Sequence, residues 1–250
     1  MRFLLSLTLA LSAPALFAYD RVVVTAFDPF GGKTHNNSWA LAQLLPGLLP
    51  AADIVLCELP TSYERAPKAF AECLQHSGAQ DPLVISLGEG PCTVKWETRA
   101  RNRNHDRGPD NDGVSRRWQS IERSGPSYVG LRANYASWWC ALSEQERKLV
   151  TVSGNADTFV CNHLAYLTAR SYPELAATFV HVPSTQCELR QPGLTQRSAA
   201  LLAKLIAHEL ASEGPAPRLV TGRREVERLL EAPAVSSCQA EFLQRWRQAL

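Results

Sequence analysis

The sequence predicts an α/β fold: a single-domain, open, twisted and largely parallel sheet with helices on both faces. Three observations carry that prediction. Short β-branched runs alternate with stretches of helical periodicity along most of the chain, the pattern of strand-helix-strand units. The runs are closed by Gly, Pro or Asp, the residues that turn a backbone. The 250-residue chain is 45% hydrophobic and 20% charged, which is enough apolar material for one large core and excludes a disordered chain.

Residues 1–18 stand apart. Met1-Arg2 is a short basic start, Phe3–Leu11 is apolar, and small residues follow at Ala13, Ala15 and Ala18. This is the pattern of a secretory leader, with cleavage expected after Ala15 or Ala18. The apolar stretch is too short to span a bilayer and Asp20-Arg21 follows at once, so no stable membrane anchor is expected after leader removal. Export to a periplasmic or extracellular compartment is the expectation. Residues 19–214 are then read as the α/β domain, and 215–250 as a C-terminal helical extension packed on it.

In order, Arg21–Phe27 reads as a buried strand ending in the turn Asp28–Gly32. Ser38 is expected to cap a helix over Trp39–Leu45, and Asn36-Asn37-Ser38 is also a glycosylation sequon. Asp53–Leu59 is a second strand, Tyr63–Gln75 a helix with Ala66, Phe70 and Cys73 on its apolar side, and Pro82–Leu87 a third strand running into Gly88-Glu89-Gly90-Pro91. In parallel sheets ligands bind beyond the carboxyl ends of strands. The loops after Phe27, after Leu87 and around Asp157 are therefore expected to converge.

Thr93–Trp118 has little apolar periodicity and many functional groups, as a long loop or a pair of irregular strands would. Long polar segments inside compact domains are commonly functional. Arg116–Glu146 gives no clear periodicity. Leu149–Val152 is a strand, Cys161–Arg170 a helix, Ala177–Val182 a strand and Gly193–Ser212 a long amphipathic helix. Glu225–Leu230 and Ala240–Leu250 read as two added helices.

A net charge of +2 gives no global field, and nucleic acid is excluded as the expected partner. The one basic run places Arg99, Arg101 and Arg103 at alternate positions, read as the solvated edge of an extended segment. The cysteines number seven. In an oxidising compartment pairing is expected, and an odd count leaves at least one thiol free or paired between chains. No close pair has zinc-finger spacing, so no structural metal is expected.

Cys161 lies near the start of its helix, where unpaired N–H groups and the helix dipole favour a thiolate. A cysteine there has a second reading as a buried, inert thiol. A cysteine nucleophile needs a base, and among six histidines His181 is the best placed, since a neighbouring strand can present it at the helix mouth. His163, two residues from Cys161 on the same helix, diverges from it.

The segments F-D-P-F-G-G with N-x-S-W, E-x-x-A-x-N, P-D-N-x-G, T-F-V-C-N-H-x-x-Y and F-V-H-V-P follow one another in this order. Together, over roughly Arg21–Glu209, they resemble pyroglutamyl peptidase I, the cysteine peptidases of family C15 that remove N-terminal pyroglutamate. The resemblance implies an α/β/α fold of the phosphorylase/hydrolase-like kind and a catalytic set of Cys161, His181 and Glu97. It implies a ring pocket from Phe27, Phe30 and Phe159 with Val160 beside them, and Arg107 and Asp110 as supports for loop shape or the oxyanion. It also implies a peptide substrate with N-terminal pyroglutamate, no metal or organic cofactor, and assembly as a homo-oligomer.

Three positions depart from the family pattern: Ala26 and Asp157 stand where Gly is usual, and Gly88–Cys92 replaces a Gln-containing turn. Glu89 is expected beside the ring, accepting its lactam N–H. Asp157 is expected to oppose the helix dipole and raise the thiol pKa. These departures keep two alternatives open: a cysteine amidohydrolase acting on another blocked N-terminus or cyclic amide, and an exported binding protein that retains the pocket without turnover.

Overall fold

A computed structural model describes residues 19–105, 108–212, 223–232 and 235–250. The leader read at 1–18, the start of the extension at 215–222 and Arg107 lie outside the described residues.

The order is β1 (Arg21–Phe27), α1 (Asn37–Ala42), α2 (Leu45–Leu48), β2 (Ile54–Leu59), α3 (Arg65–Ser77), β3 (Pro82–Gly90), β4 (Val94–Glu97), β5 (Arg99–Arg101) and β6 (Tyr128–Gly130). Then come α4 (Tyr135–Ala141), α5 (Glu144–Arg147), β7 (Val150–Ser153), α6 (Val160–Ser171), β8 (Ala176–Pro183), α7 (Thr185–Arg190), α8 (Leu194–Leu210), α9 (Arg223–Leu230) and α10 (Ser237–Ala249). The main sheet has the order β2-β1-β3-β8-β4-β7, and β5 and β6 form a separate two-stranded antiparallel sheet. The first four strands of that order are parallel, while β4 runs antiparallel to β8 and carries β7 with it. Among the described residues no helix is long and apolar enough to cross a membrane.

The two-residue period of the strands divides the core. Val22, Val24, Leu83, Ile85, Leu87, Trp96 and Val180 face a layer built from α1, α2, α4, α8 and α10. Val23, Phe27, Val84 and Phe179 face α3 and α6. Helices thus cover both faces of one mixed, mostly parallel sheet.

Several local expectations are corrected. The helix read at Trp39–Leu45 splits into α1 and α2, and its cap is Asn36, whose side chain accepts from the Ser38 N–H and donates to the Asp28 carbonyl. Asn36 is buried with that amide in use, so the folded sequon cannot carry a glycan. Arg99 is no solvated edge: it is 8% exposed, donates to the carbonyls of Gly154 and Leu250, and lies over Tyr128. Arg101 also leans toward Tyr128, and of the three only Arg103 is exposed, its guanidinium over Trp118. Strand β3 continues three residues beyond Leu87, and the register of these three residues decides the site.

Three disulfides join Cys57 to Cys73, Cys92 to Cys187 and Cys140 to Cys238, and Cys161 is free. They tie β2 to α3, the turn after β3 to α7, and α4 to α10. Helix α10 is further held by Phe242 and Trp246, buried against the aromatic layer of Trp96, Tyr135, Trp138 and Trp139. The unassigned segment 116–146 becomes β6, α4 and α5. Its weak periodicity has a physical source: Trp138 and Trp139 are adjacent and both buried, between sheet and α10.

Candidate active site

The site forms where β1, β3 and β8 end. Parallel pairing sets Gly88 beside His181, and β1 delivers Phe27 at its last position. The loop before α6 brings Ala156, Asp157 and Phe159 to the same hollow, of about 230 Å³, which Cys161 and His181 also line. The three loops expected to meet do so.

Cys161 occupies the second position of α6. Phe159 is the N-cap residue and supplies no side-chain cap, and the first helical hydrogen bond is from His163 N–H to the Phe159 carbonyl. The N–H groups of Val160 and Cys161 therefore have no helical acceptor, as at any helix start. The sheet comes unusually close here. A Cβ placed on Gly88 would lie 2.8 Å from Cys161 Sγ, and one on Gly90 would lie 2.7 Å from the His181 Cβ. Only glycine fits at either position.

His181 is 5% exposed, and its Nδ1 lies 2.8 Å from Glu97 Oε1. A carboxylate on Nδ1 fixes that nitrogen as the donor and leaves Nε2 to serve the Cys161 thiol, which lines the same hollow. Burial alone would lower the His181 pKa. The hydrogen bonds and charges of Cys161 and Glu97 outweigh burial and hold it well above the ordinary histidine value. Glu97 is fully buried on β4, and Lys95 Nζ, 3.0 Å from the same Oε1, compensates its charge. Lys95 also donates to the Asn155 carbonyl, linking Glu97 to the loop before α6. Neither Lys95 nor the two glycines were singled out from the sequence. The i, i+2 spacing of Lys95 and Glu97 on one strand was the available signal.

The structure brings Cys161, His181, Phe27, Phe30 and Phe159 together in one hollow, with Glu97 behind His181. Phe30 and Phe159 have ring centroids 6.1 Å apart, and Phe27 packs 6.4 Å from Phe179. Val160 is a correction, since its side chain is fully buried in the core cluster under α6 and does not line the hollow. Helix periodicity turns it away from the side that Cys161 faces.

Glu89 is the larger correction. Its neighbours Gly88 and Gly90 face Cys161 and His181, so Glu89 points through the opposite face of the sheet. There Oε2 meets Lys33 Nζ at 2.5 Å, and Oε1 accepts from Asn37 N, Thr185 N and Thr185 Oγ1. Burial raises its pKa, but the Lys33 ammonium and these donors overrule it and hold it below the usual glutamate range. Glu89 still lines the hollow, but both its carboxylate oxygens are engaged by these partners.

Asp110 shapes the loop without touching the thiol. Its Oδ1 accepts from Asp112 N and Val114 N, and its Oδ2 accepts from Tyr63 N. Asn111 next to it donates to Asp28 Oδ1 and to the Pro29 carbonyl, fixing the turn that carries Phe30. Asn162 likewise clamps the β5 segment through Arg101 N–H and the carbonyls of Arg101 and Arg103. His163 diverges from Cys161, packs edge-on against Tyr63, and has its pKa pushed down to about 4, mainly by burial. Asp157 is exposed with φ +64°, the left-handed backbone that favours the usual glycine. Among the described residues no group of three or more His, Cys, Asp or Glu side chains could hold a metal ion.

Residues 20–188 match the family model for pyroglutamyl peptidase. The pyrrolidone-carboxylate peptidase of Streptococcus suis is 30% identical over 187 residues, 71% of this chain and 85% of that protein. The pyrrolidone-carboxylate peptidase of Bacillus velezensis is 30% identical over 201 residues, 74% of this chain and 88% of that protein. Among solved structures, pyroglutamyl peptidase I of Bacillus amyloliquefaciens superposes with a TM-score of 0.64 at 27% identity, over 76% of this chain and 98% of that one. Pyrrolidone carboxyl peptidase of Thermus thermophilus gives 0.64 at 26% identity, over 75% and 99% respectively.

Proposed function

The chain belongs to the pyroglutamyl peptidase family of hydrolases, and from that premise we propose that it removes N-terminal pyroglutamate from peptides through a Cys161, His181 and Glu97 set. The observation that carries the reading is the buried pair of Glu97 Oε1 and His181 Nδ1, 2.8 Å apart, with His181 lining the same hollow as the one free cysteine. Each member comes from a different element, as nucleophile, base and orienting acid do in thiol hydrolases.

In this mechanism the aromatic slot of Phe27, Phe30 and Phe159 takes the flat, neutral lactam ring and sets the following carbonyl carbon against Sγ. His181 Nε2 takes the thiol proton, and the thiolate attacks that carbon. The resulting oxyanion meets N–H groups at the start of α6, which are already oriented and need no reorganisation. As the C–N bond breaks, His181 gives its proton to the departing amine, leaving a thioester on Cys161. Water, deprotonated by His181, attacks the thioester, and the returned proton restores the thiol. Glu97 holds the imidazole in the required tautomer throughout and stabilises its charged form.

Amidohydrolysis of another cyclic amide rests on a free Glu89 carboxylate beside the ring, and that carboxylate is engaged by Lys33, Asn37 and Thr185. The deciding experiment is hydrolysis of a pyroglutamyl-arylamide. Turnover is expected, lost on Cys161→Ser while binding of pyroglutamyl peptides persists. Tight binding by the unsubstituted protein without turnover would make it a binding protein instead.

The three disulfides support an exported protein, since such bonds persist in oxidising compartments. Mass spectrometry of the native protein is expected to find a mature N-terminus after Ala15 or Ala18, and iodoacetamide on Cys161 alone. An intact Met1, or several alkylated cysteines, would overturn the exported reading.

A further inference from the structure

We infer that Asp157 selects, among pyroglutamyl peptides, those with a cationic side chain just after the pyroglutamate. The inference rests on the activity proposed above and adds a specificity residue to it.

The ring slot is one of two adjoining hollows. The second, of about 420 Å³, shares Phe30, Asp157 and Phe159 with the slot and extends over Gly31, His105 and Pro109. The slot contains the nucleophile and is closed below by the sheet, so the chain beyond the scissile bond leaves over the shared rim. Asp157 stands on that rim.

Among the described residues, the other charges nearby are accounted for otherwise. Glu89 is turned through the sheet and paired with Lys33, and Glu97 is buried with Lys95 and His181. His105 stacks on Trp118 with ring centroids 3.9 Å apart. Among the described residues, Asp157 is the one carboxylate bordering both hollows that has no ion pair, and its hydrogen bond from Thr158 Oγ1 is a long 3.4 Å. Its φ of +64° holds the side chain on a tight bend where glycine would be unstrained, so the position carries a charge at a conformational cost.

A pyroglutamyl peptide has no N-terminal ammonium, so a cation near the scissile bond must come from a side chain. Lysine or arginine after the ring can reach the Asp157 carboxylate as the chain exits, whereas glutamate there meets like charge. Because Asp157 is exposed, water and salt screen the attraction and the effect is modest.

The test compares three peptides of equal length, pyroglutamyl-Lys, pyroglutamyl-Gln and pyroglutamyl-Glu with the same continuation. The expected result is a KM about 3- to 10-fold lower for the Lys than for the Glu peptide, with similar kcat. The ratio should collapse toward one in both Asp157→Asn and Asp157→Gly, and shrink at about 0.5 M salt. Equal KM values in the unsubstituted protein, or a preference that survives both substitutions, would overturn the assignment. Calorimetric binding of the same peptides to Cys161→Ser needs no turnover. It reads charge selection separately from pyroglutamyl-arylamide hydrolysis, which tests the activity itself.

Discussion

Glu89 and Glu97 flank the same strand, β8, from its two sides, and both are buried glutamates within reach of a lysine. They have opposite fates. Glu97 pairs in register with Phe179, on the face where His181 points, and its carboxylate meets the imidazole. Glu89 pairs with Val182 on the other face, where its oxygens tie Lys33, the start of α1 and the start of α7 into one support. One residue of register therefore separates a carboxylate that meets the His181 imidazole from one that ties together the supports of the sheet's far face, because side chains alternate strictly across a sheet.

The sharpest way to break this comparison is Glu97→Gln. An amide can donate to Nδ1 and so stabilise the wrong tautomer, and a loss of about 10²- to 10⁴-fold in kcat is expected with the fold retained. Near-normal kcat in steady-state assays of a folded variant would remove Glu97 from the catalytic set.

The smaller effect belongs to Glu89→Gln. Loss of the Lys33 pair and weakening of three hydrogen bonds should cost about 1–3 kcal/mol in denaturant unfolding, while kcat changes by no more than a few fold. The pH dependence sharpens the contrast. The folded-state pKa of Glu89 lies below its unfolded value. Its contribution is therefore full above the usual glutamate range and is lost as pH falls through the folded pKa. The variant should show a shallower loss of stability below about pH 4.5. An unchanged acid limb, or a collapse of kcat at neutral pH, would deny Glu89 a purely supporting role.

The limits of the sequence are visible in the same residues. Leu83, Ile85 and Leu87 already alternate with Val84 and Ser86, and extending that period three positions puts Glu89 with Leu87 and against the sheet's far layer. Reading Gly88–Gly90 as a turn hid this, because glycine usually ends a strand. Here the glycines continue β3 because Cys161 and His181 lie where their side chains would be. Val160 lies away from the hollow for a related reason: adjacency to Cys161 in sequence is divergence on a helix. The alternating arginines misled in the same way, since the pattern identified an extended segment and could not show that Arg99 is covered by Leu250 from the distant C-terminus.

By itself, the sequence determined the layer architecture, the strand and helix order over most of the chain, and the identities of Cys161, His181 and Glu97 as members of ordered motifs. These depend on local periodicity and on residue types that chemistry constrains. Tertiary structure alone decided the reversal of β4, the face taken by Glu89, the pairing that leaves Cys161 free, and the approach of Lys95 to Glu97. Each depends on which distant segment lies beside a residue. Strand register and chain crossing set that neighbour, and no local pattern encodes it.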